Sequence, residues 1–169
     1  MSVISNTTVI INFAAIAQLE LLHQIFGVLY LPTEVYAEIR AGQAEGYSYL
    51  DGIEQIIAPL SPDGWLHLTS LHNDAEIRQY GMLPTSLHHG EAACLAIAKQ
   101  RDWLLLTDDR AARAEARRQQ IRLSGSIGCL VLAMTQGIVT LPEANQHLAA
   151  MRAQGYHAPI VDLASLLEI

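Results

Sequence analysis

Cysteine is scarce in this chain, and so is positive charge. Cys94 and Cys129 are the only two thiols in 169 residues, each inside an apolar stretch, AACLAIA and GCLVLA. Their setting points to buried helix packing rather than to a disulfide or a metal site. Ten Lys and Arg stand against seventeen Asp and Glu, for a net charge of -7. That balance argues against a protein that coats nucleic acid through bulk positive charge, because phosphate contacts draw on Lys and Arg. No run of about 18 uncharged apolar residues occurs. The opening Met1 to Phe13 stretch has neither a basic leader nor a cleavage-like small-residue site. The expectation is a soluble, cytoplasmic protein with no membrane segment.

Apolar residues make up 51% of the chain, enough to bury a substantial core, and the length suits a single domain over 1–169. The scarce positive charge is also unevenly spread. Residues 99–122 carry seven of the ten basic side chains, Lys99, Arg101, Arg110, Arg113, Arg117, Arg118 and Arg122, against four acids. This segment is therefore +3 within a chain that is otherwise -10.

The order of short apolar runs and helical periodicities is regular. VIS reads as a buried strand, and NTTVIINFAAIAQLELLHQIF as a helix with Thr7 or Thr8 near its N-cap. The chain reverses at Gly27. Val28 to Leu31 is a second strand, and Pro32 opens a helix, PTEVYAEIRAG, that stops at Gly42. YLDGIEQII suggests a helix, APLSPDG a turn and WLHLTSL a strand. After the loop GMLPTSLHHG come a helix EAACLAIAKQ, a strand WLLLT, the pair Asp108 and Asp109, and an Arg-bearing helix. IRLS is a further strand, GSIG a tight turn, and CLVLAMTQG and LPEANQHLAAMRAQG are helices, before a short helical tail near VDLASLLEI. Strands alternating with helices imply a mostly parallel sheet covered on both faces.

In an open parallel sheet the ligand crevice lies beyond the carboxyl ends of the strands. Asn6, Asp108 and Asp109 directly follow strand runs, Glu91 opens a helix after HHG, and Glu38 lies near the end of its own helix. Singly, each has an ordinary structural explanation: Asp109 as an N-cap, Glu91 as a first-turn acid, Glu38 as a solvated side chain. Converging carboxylates repel, by roughly 4 kcal/mol for a pair 4 Å apart at an effective dielectric near 20, so a set of them calls for a cation. Hard oxygen ligands without paired cysteines select Mg²⁺ or Mn²⁺, which activate water and stabilise phosphoryl charge.

Five blocks, ISNTTVIINFAAIAQLELL, LPTEVYAEI, LHHGEAACLAIA, LLLTDDRAAR and LSGSIGCLVLA, resemble the PIN-domain proteins, and within them the VapC-like toxin branch, in the family's order over residues 2 to about 140. The resemblance implies a three-layer α/β/α PIN-like fold and a metal-dependent ribonuclease. It assigns catalytic carboxylates to Glu38, Glu91, Asp108 and Asp109, with Asp109 preferred as the direct ligand, and a further polar ligand to Ser126. The metal set it implies is Asn6, Glu91, Asp108, Asp109 and Ser126, with Mg²⁺ or Mn²⁺ as the ion. Asn6 is a departure: it stands where the pattern has Asp and keeps a carbonyl oxygen but no charge. Two readings follow, an RNA-cleaving toxin of a toxin-antitoxin pair, and a catalytically weakened RNA- or protein-binding module. An antitoxin partner and a homodimer are expected from the resemblance as well. A phosphatase working through an aspartyl-phosphate would need Asp at residue 6 and ranks below both.

Other features divide between function and structure. Arg110, Arg113 and Arg117 share one helical face, either as a rail for an RNA backbone or as a solvated face paired with nearby acids. His88 and His89 lack a third ligand at metal spacing and read as loop or substrate-contact residues. Gly125 and Gly128 read as turn residues, and Trp65, Trp103 and the apolar face of NFAAIAQLELLHQIF as core.

Overall fold

The computed structural model describes residues 1–167. Strand β1 (Val3–Ser5) leads into helix α1 (Thr7–Ala15), followed by α2 (Leu19–Phe26), β2 (Leu29–Pro32) and α3 (Thr33–Ala44). Then come β3 (Ile57–Ala58), β4 (Leu66–Thr69), α4 (Asp74–Met82), α5 (His89–Arg101), β5 (Leu104–Leu106) and α6 (Arg110–Arg118). β6 (Leu123–Ser124), α7 (Ser126–Thr135) and α8 (Leu141–Ala153) complete the regular elements. All the strand pairs are parallel, in the order β3-β4-β2-β1-β5-β6. Helices on both faces give a three-layer α/β/α domain. No helix among the described residues is long and apolar enough to cross a membrane.

The sheet order decides where chemistry can sit. From β1 the chain moves to β2 on one side and returns much later to β5 on the other, so β1 and β5 flank the switch point where an open α/β sheet leaves a crevice. Register then aligns the strand exits. Ser5 pairs with Leu106, and Leu106 with Ser124, so three neighbouring strands end level. Asn6, Thr107 and Gly125 therefore leave the sheet side by side.

Helix α5 is buried nearly all round, from Gly90 and Ala92 through Ala98, as expected of an apolar helix with partners on several sides. It packs against α3, α4 and the sheet, while α1, α2, α7 and α8 pack with one another. Cys94 and Cys129 are both fully buried and unbonded, in keeping with their apolar settings.

Several boundaries differ from the sequence reading. The first helix is two helices. The Gln18 amide donates to the Phe13 carbonyl at 2.8 Å and Ala17 to Ala14 at 3.0 Å, a closing pattern that puts Ala17 at a left-handed φ of 56°. The N-cap of α1 is Asn6, not Thr7 or Thr8. Helix α3 runs through Gly42 to Ala44, and Gly42 serves close packing: a Cβ there would stand 3.0 Å from Leu50 Cδ1 and 3.2 Å from Tyr47 Cδ2. YLDGIEQII forms two short 3-10 stretches, Ser48–Leu50 and Ile53–Ile56, with Gly52 at φ 78° between them, and its last residue forms β3 with Ala58 of the expected turn. Helix α7 starts at Ser126, so Gly128 is helical and belongs to no turn. Helix α4 is an addition, capped by the Asn73 side chain on the Glu76 amide. The tail near VDLASLLEI holds a single 3-10 stretch, Leu163–Leu166, while its last two residues lie outside the described residues.

Candidate active site

Asn6 leaves β1 buried, with its side-chain oxygen fully engaged. Oδ1 accepts from the Thr8 amide at 3.1 Å and the Thr8 hydroxyl at 2.7 Å, and Nδ2 donates to Thr107 Oγ1 at 2.6 Å. Both lone pairs of the carbonyl oxygen are thus taken, and a metal could reach it only by displacing Thr8. The residue expected as a ligand acts as a helix cap and as a tie between the exits of β1 and β5. Thr8 extends that tie, because its hydroxyl also accepts from the Asp108 amide at 2.9 Å.

At the β5 exit the acidic pair splits. Asp108 turns toward β6 and the chain's far end: its Oδ1 accepts from the Ser126 amide at 2.9 Å and from the Tyr156 hydroxyl at 3.4 Å. Its Oδ2 accepts from Asn12 Nδ2 at 2.9 Å and from the Ser126 hydroxyl. Asp109 instead caps α6, accepting from the Ala112 amide at 2.7 Å through Oδ1 alone. Its own amide donates to Thr107 Oγ1 at 3.1 Å.

Glu38 and Glu91 arrive from α3 and α5. The Gly90 amide donates to Glu38 Oε1 at 3.1 Å, and the Thr7 hydroxyl donates to Oε2. Glu91 Oε2 accepts from the His88 amide at 2.9 Å, closing a capping box at the start of α5. Half-burial raises the Glu91 carboxyl above the ordinary glutamate range. The charges of Asp109 and Glu38 push it the same way, partly offset by the His88 amide. Glu91 therefore feels the charges of both Asp109 and Glu38, while Asp108 sits among hydrogen-bond donors of its own.

Across the described residues, no three His, Cys, Asp or Glu side chains close on one point tightly enough to hold a metal ion unaided. The four expected acids thus form no such cluster by themselves, and Asp108 has hydrogen-bond partners separate from those of Glu38, Glu91 and Asp109. That donor set still fits Mg²⁺ or Mn²⁺, because such ions are commonly held by one or two carboxylates, with waters and substrate phosphate oxygens completing the shell. Ser126 spends its amide and hydroxyl on Asp108 and so orients a carboxylate.

The three arginines have unequal freedom. Arg113 Nη1 donates to the Thr107 carbonyl at 2.9 Å and the Ser124 carbonyl at 3.2 Å, which binds α6 to two strand ends. Arg110 and Arg117 are exposed, and neither forms an ion pair among the described residues. The acid on this helix, Glu115, pairs with Arg118 instead. His88 is the N-cap of α5, and His89 Nδ1 lies 2.7 Å from the Tyr80 hydroxyl.

Sequence reasoning missed Thr7, Thr8, Asn12, Thr107 and Tyr156. The threonines carried a signal in hindsight, since hydroxyls beside a strand end are local helix-capping groups. Asn12 and Tyr156 carried none. They reach Asp108 across separations of 96 and 48 residues, which only the sheet order brings together.

A protein-family model described as PIN domain matches residues 2–168. Comparison with curated proteins and with solved structures gave no match.

Proposed function

The chain belongs to the PIN-domain family, a family of nuclease and nucleic-acid-binding modules, and from that premise we propose that it is a Mg²⁺- or Mn²⁺-dependent ribonuclease. The observation that supports this most directly is the seating of Glu38 on the Gly90 amide, next to a Glu91 that feels the charges of both Glu38 and Asp109. Three elements distant in sequence bring carboxylates to the crevice beyond β1 and β5. Glu91 and Asp109 are the donors we assign to the cation, with Asp108 beside them. A divalent ion bound there supplies an activated water and neutralises phosphoryl charge. The protein's own groups do the rest. Thr7 and Gly90 hold Glu38 in place, Ser126 and Asn12 fix Asp108, and Arg110 and Arg117 draw the RNA backbone to the acidic edge while Arg113 stiffens α6.

Incubating purified protein with Mn²⁺ and mixed RNAs tests this reading. Cleavage that disappears in Glu91→Gln and Asp109→Asn is expected. Absence of cleavage with either ion, or undiminished cleavage in both variants, overturns it.

We extend the proposal to the toxin half of a toxin-antitoxin pair, acting as a homodimer. A net charge of -7 suits an antitoxin with basic segments that silences the crevice by covering it. A short, charged reading frame overlapping the gene supports the pairing, and sedimentation of the purified chain measures the dimer. A second reading, a PIN-like module that binds RNA without cutting it, draws on the uncharged Asn6. It predicts RNA binding without cleavage in the wild-type chain and the appearance of cleavage in Asn6→Asp.

A further inference from the structure

A cavity of about 670 Å³ opens beside Asp108, between α6 and the segment that follows α8. Its lining has two chemistries: Arg110, Arg113 and Arg117 are cationic, while Leu123, Ile127, Tyr156 and His157 offer apolar and ring surface. We infer that this cavity is a subsite for one unstacked nucleotide of a single-stranded RNA, with the base against the Tyr156 and His157 wall and the flanking phosphates on Arg110 and Arg117. The inference deepens the ribonuclease reading and rests on it for which bond is cut. The binding it describes needs no metal.

Three features carry it. The volume lies inside the range of about 300–1,000 Å³ typical of small-ligand sites. The two arginines lie about two helical turns apart on one face of α6. Their guanidiniums are uncommitted among the described residues, so each is available for a forked contact to a different phosphate. Asp108 also lines the cavity and would repel a phosphate seated against it, whereas a neutral base meets no such repulsion; Arg113, beside it, is committed to the Thr107 and Ser124 carbonyls. The cavity thus offers both surfaces a nucleotide needs, free guanidiniums for phosphate and rings for a base, as in proteins that splay single-stranded RNA onto aromatic side chains.

Tyr156 has a second tie, its hydroxyl on Asp108 Oδ1 at 3.4 Å, so the residue that would receive the base also touches the acidic edge. Stacking needs the ring and the Asp108 contact needs the hydroxyl, which separates the two roles by substitution.

The test is fluorescence anisotropy of a labelled single-stranded RNA hexamer in EDTA, where no metal-dependent cleavage proceeds. Tyr156→Ala is expected to weaken binding about tenfold or more and Tyr156→Phe to stay within about twofold of wild type. Arg117→Ala, at an exposed position, is expected to lower the slope of log affinity against log salt by about one. Should Tyr156→Ala fail to fold, His157→Ala, also exposed, joins Arg117→Ala as the deciding variant. Folded variants that all bind like wild type overturn the subsite. Wild-type cleavage alongside such unchanged binding removes the subsite and leaves the ribonuclease reading standing. The reverse result, binding lost in the variants while wild type cuts nothing with either ion, keeps the subsite and removes that reading.

Discussion

The carboxylate of Glu38 fills the space that a side chain on Gly90 would need. A Cβ at residue 90 would lie 2.7 Å from Glu38 Oε1 and 2.9 Å from its Cδ, while the Gly90 amide already donates to Oε1 at 3.1 Å. Gly90→Ala should therefore expel Glu38 from its seat. Alanine is the better residue inside a helix, and the crowded group is the far end of a flexible side chain. Melting temperature is expected to hold or rise while RNA cleavage falls by about tenfold or more. Thermal unfolding run alongside a cleavage assay reads both, and unchanged cleavage would remove Glu38 from the working site.

Glu91→Gln should separate stability from activity in the opposite sense to most core substitutions. Burial and the neighbouring Asp109 and Glu38 raise this carboxyl in the folded protein. A raised carboxyl adds stability below the unfolded value of about 4.3, and that contribution is lost as pH climbs through the folded value. At neutral pH the charge is thus a burden, and Gln lacks it while keeping an acceptor for the His88 amide. The metal-free variant is expected to melt about 1–2 °C higher than wild type and to have lost cleavage. A lower melting point would contradict this sign.

The same proton competes with the cation, since a ligating carboxylate must be ionised. Mn²⁺ affinity, followed by isothermal titration, should rise with pH through the range just above ordinary glutamate values. A pH-independent affinity there would take Glu91 out of the ligand set.

Residue 6 offers a graded test of charge. Asn6→Asp keeps an acceptor for Thr8 at the start of a helix, where a negative charge is favourable, and adds that charge to the acidic edge. Mn²⁺ binding should tighten several-fold. Asn6→Ala removes the cap and the tie to Thr107, at about 1–2 kcal/mol of folding stability by denaturant titration.

Far from the crevice, Glu76 is wholly buried against Arg101, with Nε to Oε1 at 2.6 Å and Nη2 to Oε2 at 3.0 Å. Removing one partner leaves a buried charge unmatched, so Glu76→Ala is expected to lose about 3–5 kcal/mol. The Arg101 guanidinium holds this carboxyl below the ordinary range. Its stabilisation is therefore full above about pH 4.3 and lost as pH falls through the folded value. Denaturant midpoints measured down the acid limb should show the wild type losing stability there and the variant losing less.

Glu76 also explains the largest gap in the sequence reading. Helix α4 was invisible to hydropathy because the residue it buries is charged, and the partner that makes the burial tolerable lies 25 residues on, at Arg101. The strand and helix alternation was legible at β1 and β5, which are short apolar runs with polar exits, but not at β3, whose two residues lie where a helix and a turn were expected. Asp108 and Asp109 were singled out by the rule that open sheets bind beyond their carboxyl ends, and Glu91 as an acid at the positive start of a helix. What each acid touches was not legible, since Asn12 on α1, Ser126 after β6 and Tyr156 after α8 meet at Asp108 only through tertiary packing. The first helix was read as unbroken because the residue at the break is Ala17, which sits where glycine usually signals a stop.

The dependence of Asp108 on Tyr156 has a bearing on how the protein is made. All four acids have been synthesised once the ribosome passes residue 109, yet the hydroxyl that completes the surroundings of Asp108 comes 48 residues after it. At about 5–20 residues per second that interval is about 2–10 s. Asp108 therefore waits for the segment after α8, and the sheet edge around it is finished only when that segment has packed.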